Sequence, residues 1–257
     1  RQLIEISPSS AAHFKALEAE KKSREKFEAA LMEVEKASLS AAKSALDKAV
    51  ARAHELREEL SEEAENKFRS AVKRLNQARF AAFEELARIR HLTAMAKVED
   101  IIAFAKEALE STEKVVIFAH HHDVMDALMD AFGKMAVCVR GGMSGQERQR
   151  SVDRFQEDPS VRVFVGGMYA AGVGLTLTAA STVIFAELDW VPGVIAQSED
   201  RCHRIGQKDC VVVYHIVLQD SLDYKLAHTI VSKLEVIEAA LDIQPTEAAT
   251  RPGAIVA

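Results

Sequence analysis

The chain has 257 residues, 48% of them hydrophobic and 28% charged, and no apolar run reaches the roughly 18 residues of a membrane span. Its N-terminal RQLIEISPSS lacks the basic-then-apolar layout of a secretory signal, and Cys138, Cys202 and Cys210 form no C-x-x-C pair, which argues against a disulfide framework and fits a reducing intracellular compartment. The formal net charge of −6 means that any contact with nucleic acid must rest on a local basic surface.

Between Pro8 and Gly133 there is neither glycine nor proline, and the stretch is dense in Ala, Glu, Lys, Leu and Arg. Ser9 and Ser10 suit the N-cap of a first helix. Apolar residues then recur at helical spacing, as Phe27, Leu31 and Val34, and again from Leu46 through Val50, Ala53, Leu56, Leu60, Ala64, Phe68, Val72 and Leu75. One unbroken helix of about 100 residues would be about 150 Å long. A reversal near Ser38-Leu39-Ser40 or Ser61 is therefore expected, giving an antiparallel helical hairpin; a long coiled-coil dimer arm is the competing reading.

From Lys114 the pattern becomes strands alternating with helices. VVIFA (115–119) reads as a buried strand, 123–132 as a helix stopped by Gly133, and MAVCV (135–139) as the next strand. Ser144 and Glu147 have capping-box spacing and start a helix through Phe155. VRVFV (161–165) and TVIFA (182–186) are further strands, separated by the glycine-rich AAGVGLTLTAA. Pro192 and Gly193 suit the start of a helix that would carry Arg201 and Arg204 on one face. The strand VVVYHIV (211–217) and an amphipathic helix from Ser221 to Leu241 complete the series, and the tail from Pro245 reads as frayed. Such alternation predicts an α/β fold with a mostly parallel sheet covered on both faces, its ligands at the carboxyl ends of the strands.

Three loops on that edge carry chemistry. Arg140-Gly-Gly-Met-Ser144 sets amides and a hydroxyl before a helix N-terminus, a natural phosphate seat. The segment from Gly166 to Gly174 has glycines where a backbone approaches a ligand closely. QSEDRCHRIGQ (197–207) presents two guanidiniums three residues apart, whose planar donors match phosphate oxygens. His120-His121-His122-Asp123 does not read as a metal site, because adjacent residues at a strand end point to opposite faces. No metal ligand set is expected.

In this order, VVIFAHH, RGGMSGQERQRSVDRFQ, AAGVGLTLTAASTVIFAELDWVPGVIAQSEDRCHRIGQ and the following strand resemble the second RecA-like lobe of the Swi/Snf family of DNA translocases, in helicase superfamily two. The resemblance covers about residues 114–240, and the GLT-x-TAA and FAEL-x-W-x-PG stretches are similar to the annealing-helicase, HARP-like branch. The arginine motif ends in Gly206-Gln207, whereas RNA helicases of the DEAD-box type end in Gly-Arg, so an RNA-directed lobe is disfavoured. Gly167-Met168-Tyr169 stands where the family usually has Ser-x-Thr, so the resemblance does not carry over Ser or Thr hydroxyl contacts with the DNA backbone at those two positions.

The resemblance implies a crossover strand from the first lobe over residues 1–8, a helical protrusion and lead-in helix over 9–110, the lobe over 111–242 and a flexible tail over 243–257. It further implies ATP and magnesium held mainly by a first lobe, with double-stranded DNA and that lobe as partners, no membrane, and no particular oligomer. Arg201 and Arg204 would reach the nucleotide, Arg204 as arginine finger, with Gly172, Gly174, Gln197 and Gln207 at the same site. Arg140, Gly142, Ser144, Thr178 and Trp190 would meet DNA, Trp190 as a wedge, with a half-buried core anchor as the competing reading of that tryptophan. No G-x-x-x-x-G-K-[ST] loop occurs in the sequence, so this chain by itself is expected to be inactive, the C-terminal half of an ATPase. The competing class is a non-catalytic helical interaction module with a vestigial lobe.

Overall fold

A computed structural model of the chain describes residues 1–37, 44, 47, 48, 50, 51, 62–171, 175–189, 191–202 and 210–241. They divide into two compact units, one of residues 8–96 and the other of residues 1–7 with Lys97 onward. In the first, α1 (Ala11–Ala37) packs against α2 (Glu62–Ala96). Ser10 caps α1, its hydroxyl accepting from the His13 amide at 3.1 Å, while the His13 ring accepts the Ser9 amide at 3.2 Å. The reversals expected at Ser38-Leu39-Ser40 and Ser61 lie outside the described residues.

The second unit is α/β. Its elements are β1 (Gln2–Ile6), α3 (Val98–Ser111), β2 (Val115–Ala119), α4 (His122–Phe132), β3 (Ala136–Val139), α5 (Gly145–Glu157), β4 (Val163–Gly167), α6 (Met168–Ala171), β5 (Thr182–Phe185), α7 (Pro192–Glu199), β6 (Val212–Leu218) and α8 (Leu222–Leu241). The six strands form one sheet in the order β1-β6-β5-β2-β4-β3, and every neighbouring pair is parallel. Central strands β2, β4 and β5 are buried along their whole length, as continuous apolar runs require when helices cover both faces. Phe118 and Phe185 meet at 5.3 Å between ring centroids, as do Phe155 and Phe164, and these four rings centre the core.

Four strands depart from their sequence reading: β5 ends one residue early and β6 lies one residue later, and two others differ for a visible reason. β3 starts one residue late because Gly133, at φ +52°, turns the chain into a short 3₁₀ turn over Gly133–Met135. β4 starts two residues late and continues through Gly166-Gly167, paired to Phe118 and Ala119 of β2. A Cβ on Gly167 would lie 3.3 Å from Met125 Cε, so this glycine admits a core methionine and not a ligand.

The RQLIEI strand adds to the sheet edge, from Gln2 beside Tyr214 to Ile6 beside Leu218. At the start of α3, Lys97 is only 1% exposed; its ammonium donates to the carbonyls of Ala186 at 3.0 Å and Ile216 at 2.6 Å, and to the Asp223 carboxylate. One buried cation thus ties the lead-in helix to the ends of β5 and β6 and to α8; three acceptors offset its desolvation. No helix among the described residues is long and apolar enough to cross a membrane.

Candidate functional site

Because all strands run parallel, their carboxyl ends and the loops that follow share one edge, where open α/β sheets bind ligands. The arginine motif reaches that edge differently from its sequence reading. α7 has Pro192 in its first turn and stops at Glu199, so Arg201 lies in a turn beyond the helix. The helix end tightens there: Asp200 N–H donates to Ala196 O, Arg201 N–H to Ser198 O at 3.2 Å and Cys202 N–H to Glu199 O at 3.0 Å. Cys202 is fully buried and anchors this turn; burial pushes its thiol up to about 12. Arg201 is half-buried and Gln197 exposed. The Arg201 carbonyl accepts from Leu177 N–H at 2.9 Å, which binds the turn to the glycine-rich loop. Arg204, Gly206 and Gln207 lie outside the described residues.

The described part of the glycine-rich loop, 175–181, is held from both sides. Leu175, Leu177 and Ala180 are buried beneath it. Opposite Arg201, Gln156 at the end of α5 clamps it with one amide: Nε2 donates to Thr176 O at 3.0 Å and to the Thr178 hydroxyl at 3.3 Å, and Oε1 accepts from Ala179 N–H at 2.8 Å. Thr178 is half-buried and already accepts a bond there. Gln156 was not singled out in the sequence. Its one signal was its place beside Phe155, on the face of α5 that also buries Val152. Gly172 and Gly174 lie outside the described residues.

In the loop after β3, Gly142 has φ +86°, a left-handed turn that favours glycine. Arg140 is directed to Asp126 of α4, with Nη1 donating to Oδ1 at 2.5 Å. The predicted phosphate seat is filled from within. Ser144 donates its amide and its hydroxyl to the same Glu147 oxygen, each at 2.8 Å, and its hydroxyl accepts from Glu147 N–H. This is the predicted capping box, and its carboxylate takes the amide that a phosphate would use. The Ser144 amide and hydroxyl hold the Glu147 carboxyl below its ordinary range. Ser144 remains exposed, as does Gly142.

A polar cluster missed in the sequence joins β2, β4 and β5. Buried Glu187 accepts from the amides of His120 at 2.7 Å and His121 at 2.9 Å, and His121 Nδ1 lies 2.5 Å from its other oxygen. Burial pushes the Glu187 carboxyl up, but the His121 ring and the two amides together outweigh it and hold the group below the usual carboxylate range. Next to it, buried Asp189 accepts the Tyr169 hydroxyl at 2.7 Å and the Val191 amide at 2.8 Å. The tyrosine that replaces a family hydroxyl thus has its own partner. HHHD and ELD are more than 60 residues apart, and only the adjacency of β2 and β5 brings them together. Trp190 lies outside the described residues.

Residues 94–206 match the helicase conserved C-terminal domain. The chain is 36% identical over 169 residues to the SWI/SNF-related matrix-associated actin-dependent regulator of chromatin subfamily A-like protein 1 of Drosophila melanogaster, covering 64% of this chain and 22% of that protein. It is 39% identical over 142 residues to the human DNA annealing helicase and endonuclease ZRANB3, covering 54% of this chain and 13% of that one. A solved structure of the C-terminal part of the Fun30 ATPase domain has a TM-score of 0.48 at 27% identity, covering 52% of this chain and 44% of that one. The chain therefore spans between about an eighth and a quarter of the two curated relatives' lengths.

Proposed function

We propose that this chain, which matches the helicase conserved C-terminal domain over residues 94–206 and is similar to SWI/SNF-related helicases, is the second motor lobe of an ATP-dependent translocase on double-stranded DNA. One observation carries the reading: the arginine turn and the glycine-rich loop are bonded to each other, Leu177 N–H to Arg201 O at 2.9 Å, on the working edge of the sheet. A nucleotide sensor and a DNA-facing loop joined in this way would move together. That coupling is what a motor needs and a passive scaffold does not.

The residues fit one half of a nucleotide site. Arg201 stands half-buried at that edge, while the 257 residues contain no phosphate loop of the form G-x-x-x-x-G-K-[ST]. ATP and magnesium would be held mainly by another lobe, and would supply the phosphoryl bond whose hydrolysis drives lobe movement. In this reading Arg204 is the arginine finger, and Arg201 braces the γ-phosphate or a carboxylate of the first lobe. Gly172, Gly174, Gln197 and Gln207 border the same cleft. Arg140, Gly142, Ser144, Thr178 and Trp190 meet DNA, the first four through its phosphates, which carries no sequence preference. For Ser144 the phosphate must displace or join Glu147, and for Arg140 it must draw the guanidinium from Asp126.

The test is Arg204→Ala in the intact protein. ATP turnover should fall by roughly 10³ to 10⁵, the usual worth of such a finger, with DNA affinity nearly unchanged. Turnover within tenfold of the parent would reject the assignment.

A further inference from the structure

α2, in the helical unit, carries a charged and aromatic face of its own. Residues 66–83, NKFRSAVKRLNQARFAAF, hold the bases Lys67, Arg69, Lys73, Arg74 and Arg79 and no acid, in a chain of net charge −6. Acids resume immediately on both sides, at Glu65 and at Glu84. Arg69, Lys73, Phe80 and Phe83 follow one another at helical spacings of four, seven and three and so share a face. All four are exposed, Phe80 by 67% and Phe83 by 73%. They stand away from Ile89, which is buried on another side of the helix. Single exposed apolar residues need no explanation. Two aromatic rings one turn apart, at the end of an acid-free basic row, form a pattern with a chemistry: cations for phosphates and flat apolar faces for bases.

We propose that this face of α2 binds single-stranded nucleic acid, with Arg69 and Lys73 on phosphates and Phe80 and Phe83 stacked on bases. Arg69 and Phe83 stand 14 positions apart, about 21 Å along the helix, enough for a few nucleotides. A duplex keeps its bases stacked inside and offers the rings nothing. An acidic peptide would engage the cations and leave both rings in water. This face belongs to the helical unit of residues 8–96, and binding to it can be measured without ATP turnover.

The measurement is fluorescence anisotropy of the 257-residue chain with labelled oligothymidine and with a duplex of equal length. Phe80→Ala with Phe83→Ala should weaken the single strand by at least about tenfold while changing the duplex less than about twofold. Phe80→Tyr with Phe83→Tyr should restore binding, since tyrosine stacks as well. Arg69→Glu with Lys73→Glu should weaken the single strand and flatten its dependence on salt. Circular dichroism matching the parent confirms that each variant is folded. Unchanged single-strand affinity in the alanine pair overturns the proposal, as does an equal loss on both probes. So does polyglutamate binding that is lost in the alanine pair, or a parent dimer that the alanine pair converts to monomer. Failure of the arginine-finger reading would appear only in ATP turnover and would leave these affinities as they are.

Discussion

His215, stacked on Phe185 with ring centroids 5.0 Å apart, is fully buried on β6. Burial, and after it the nearby Arg1 charge, pulls its pKa from the ordinary 6.5 down to about 4. The unfolded chain therefore takes up a proton that the folded chain refuses between those values. This contribution leaves stability intact above the unfolded pKa and erodes it as pH falls from about 6.5 toward about 4. At pH 5 the loss from this one group is about 2 kcal/mol. His215→Phe, which keeps the stacking, should remove that part of the pH dependence in denaturant titrations at pH 7 and pH 5. Parallel losses in parent and variant would show that His215 is not the titrating group. Glu199 is placed by a comparable local device: the Arg1 guanidinium forks onto its carboxylate at 2.6 to 3.1 Å, and the pair ties β1 to α7.

At the scale of elements, the glycine-rich loop is positioned by its neighbours more than by its own sequence. Gln156 from α5 and the Arg201 carbonyl grip it at Thr176, Leu177, Thr178 and Ala179. Gln156→Ala removes three bonds and leaves the Ala179 amide unsatisfied, which should cost about 1 to 3 kcal/mol in denaturant unfolding. In the intact protein the displaced loop should lower DNA-stimulated ATP turnover by roughly 10- to 100-fold. Gln156→Glu keeps the acceptor for Ala179 but not the donor to Thr176, so it should fall between parent and alanine. Equal stability of all three proteins would remove the clamp from the account. Local chemistry was legible for α5 itself, because Ser144 and Glu147 are three residues apart and a capping box is closed within one turn. The end of α7 was not legible in this way. Beyond its stop before Arg201, Cys202 is buried and the Arg201 carbonyl is bonded to Leu177, contacts that no spacing within QSEDRCHRIGQ encodes.

For the whole molecule, the proposed division of labour leaves this lobe with one half of a nucleotide site. The purified chain should release no phosphate from ATP, with or without duplex DNA, because it contains no phosphate loop. DNA-stimulated release by the chain alone would overturn the division of labour between lobes. Much was determined by sequence alone: the switch from glycine-free helical grammar to alternating strands and helices, the parallel α/β class, the order of the three chemical loops and the family they resemble. Those features are local, since apolar period, turn residues and motif order act over a few residues at a time. Tertiary structure alone decided that RQLIEI closes the sheet beside β6, that Glu187 serves His120 and His121, that Gly167 makes room for Met125, and that Arg201 leaves its helix to hold the glycine-rich loop. Each of these depends on which strands lie side by side, and adjacency is set by packing the whole sheet at once.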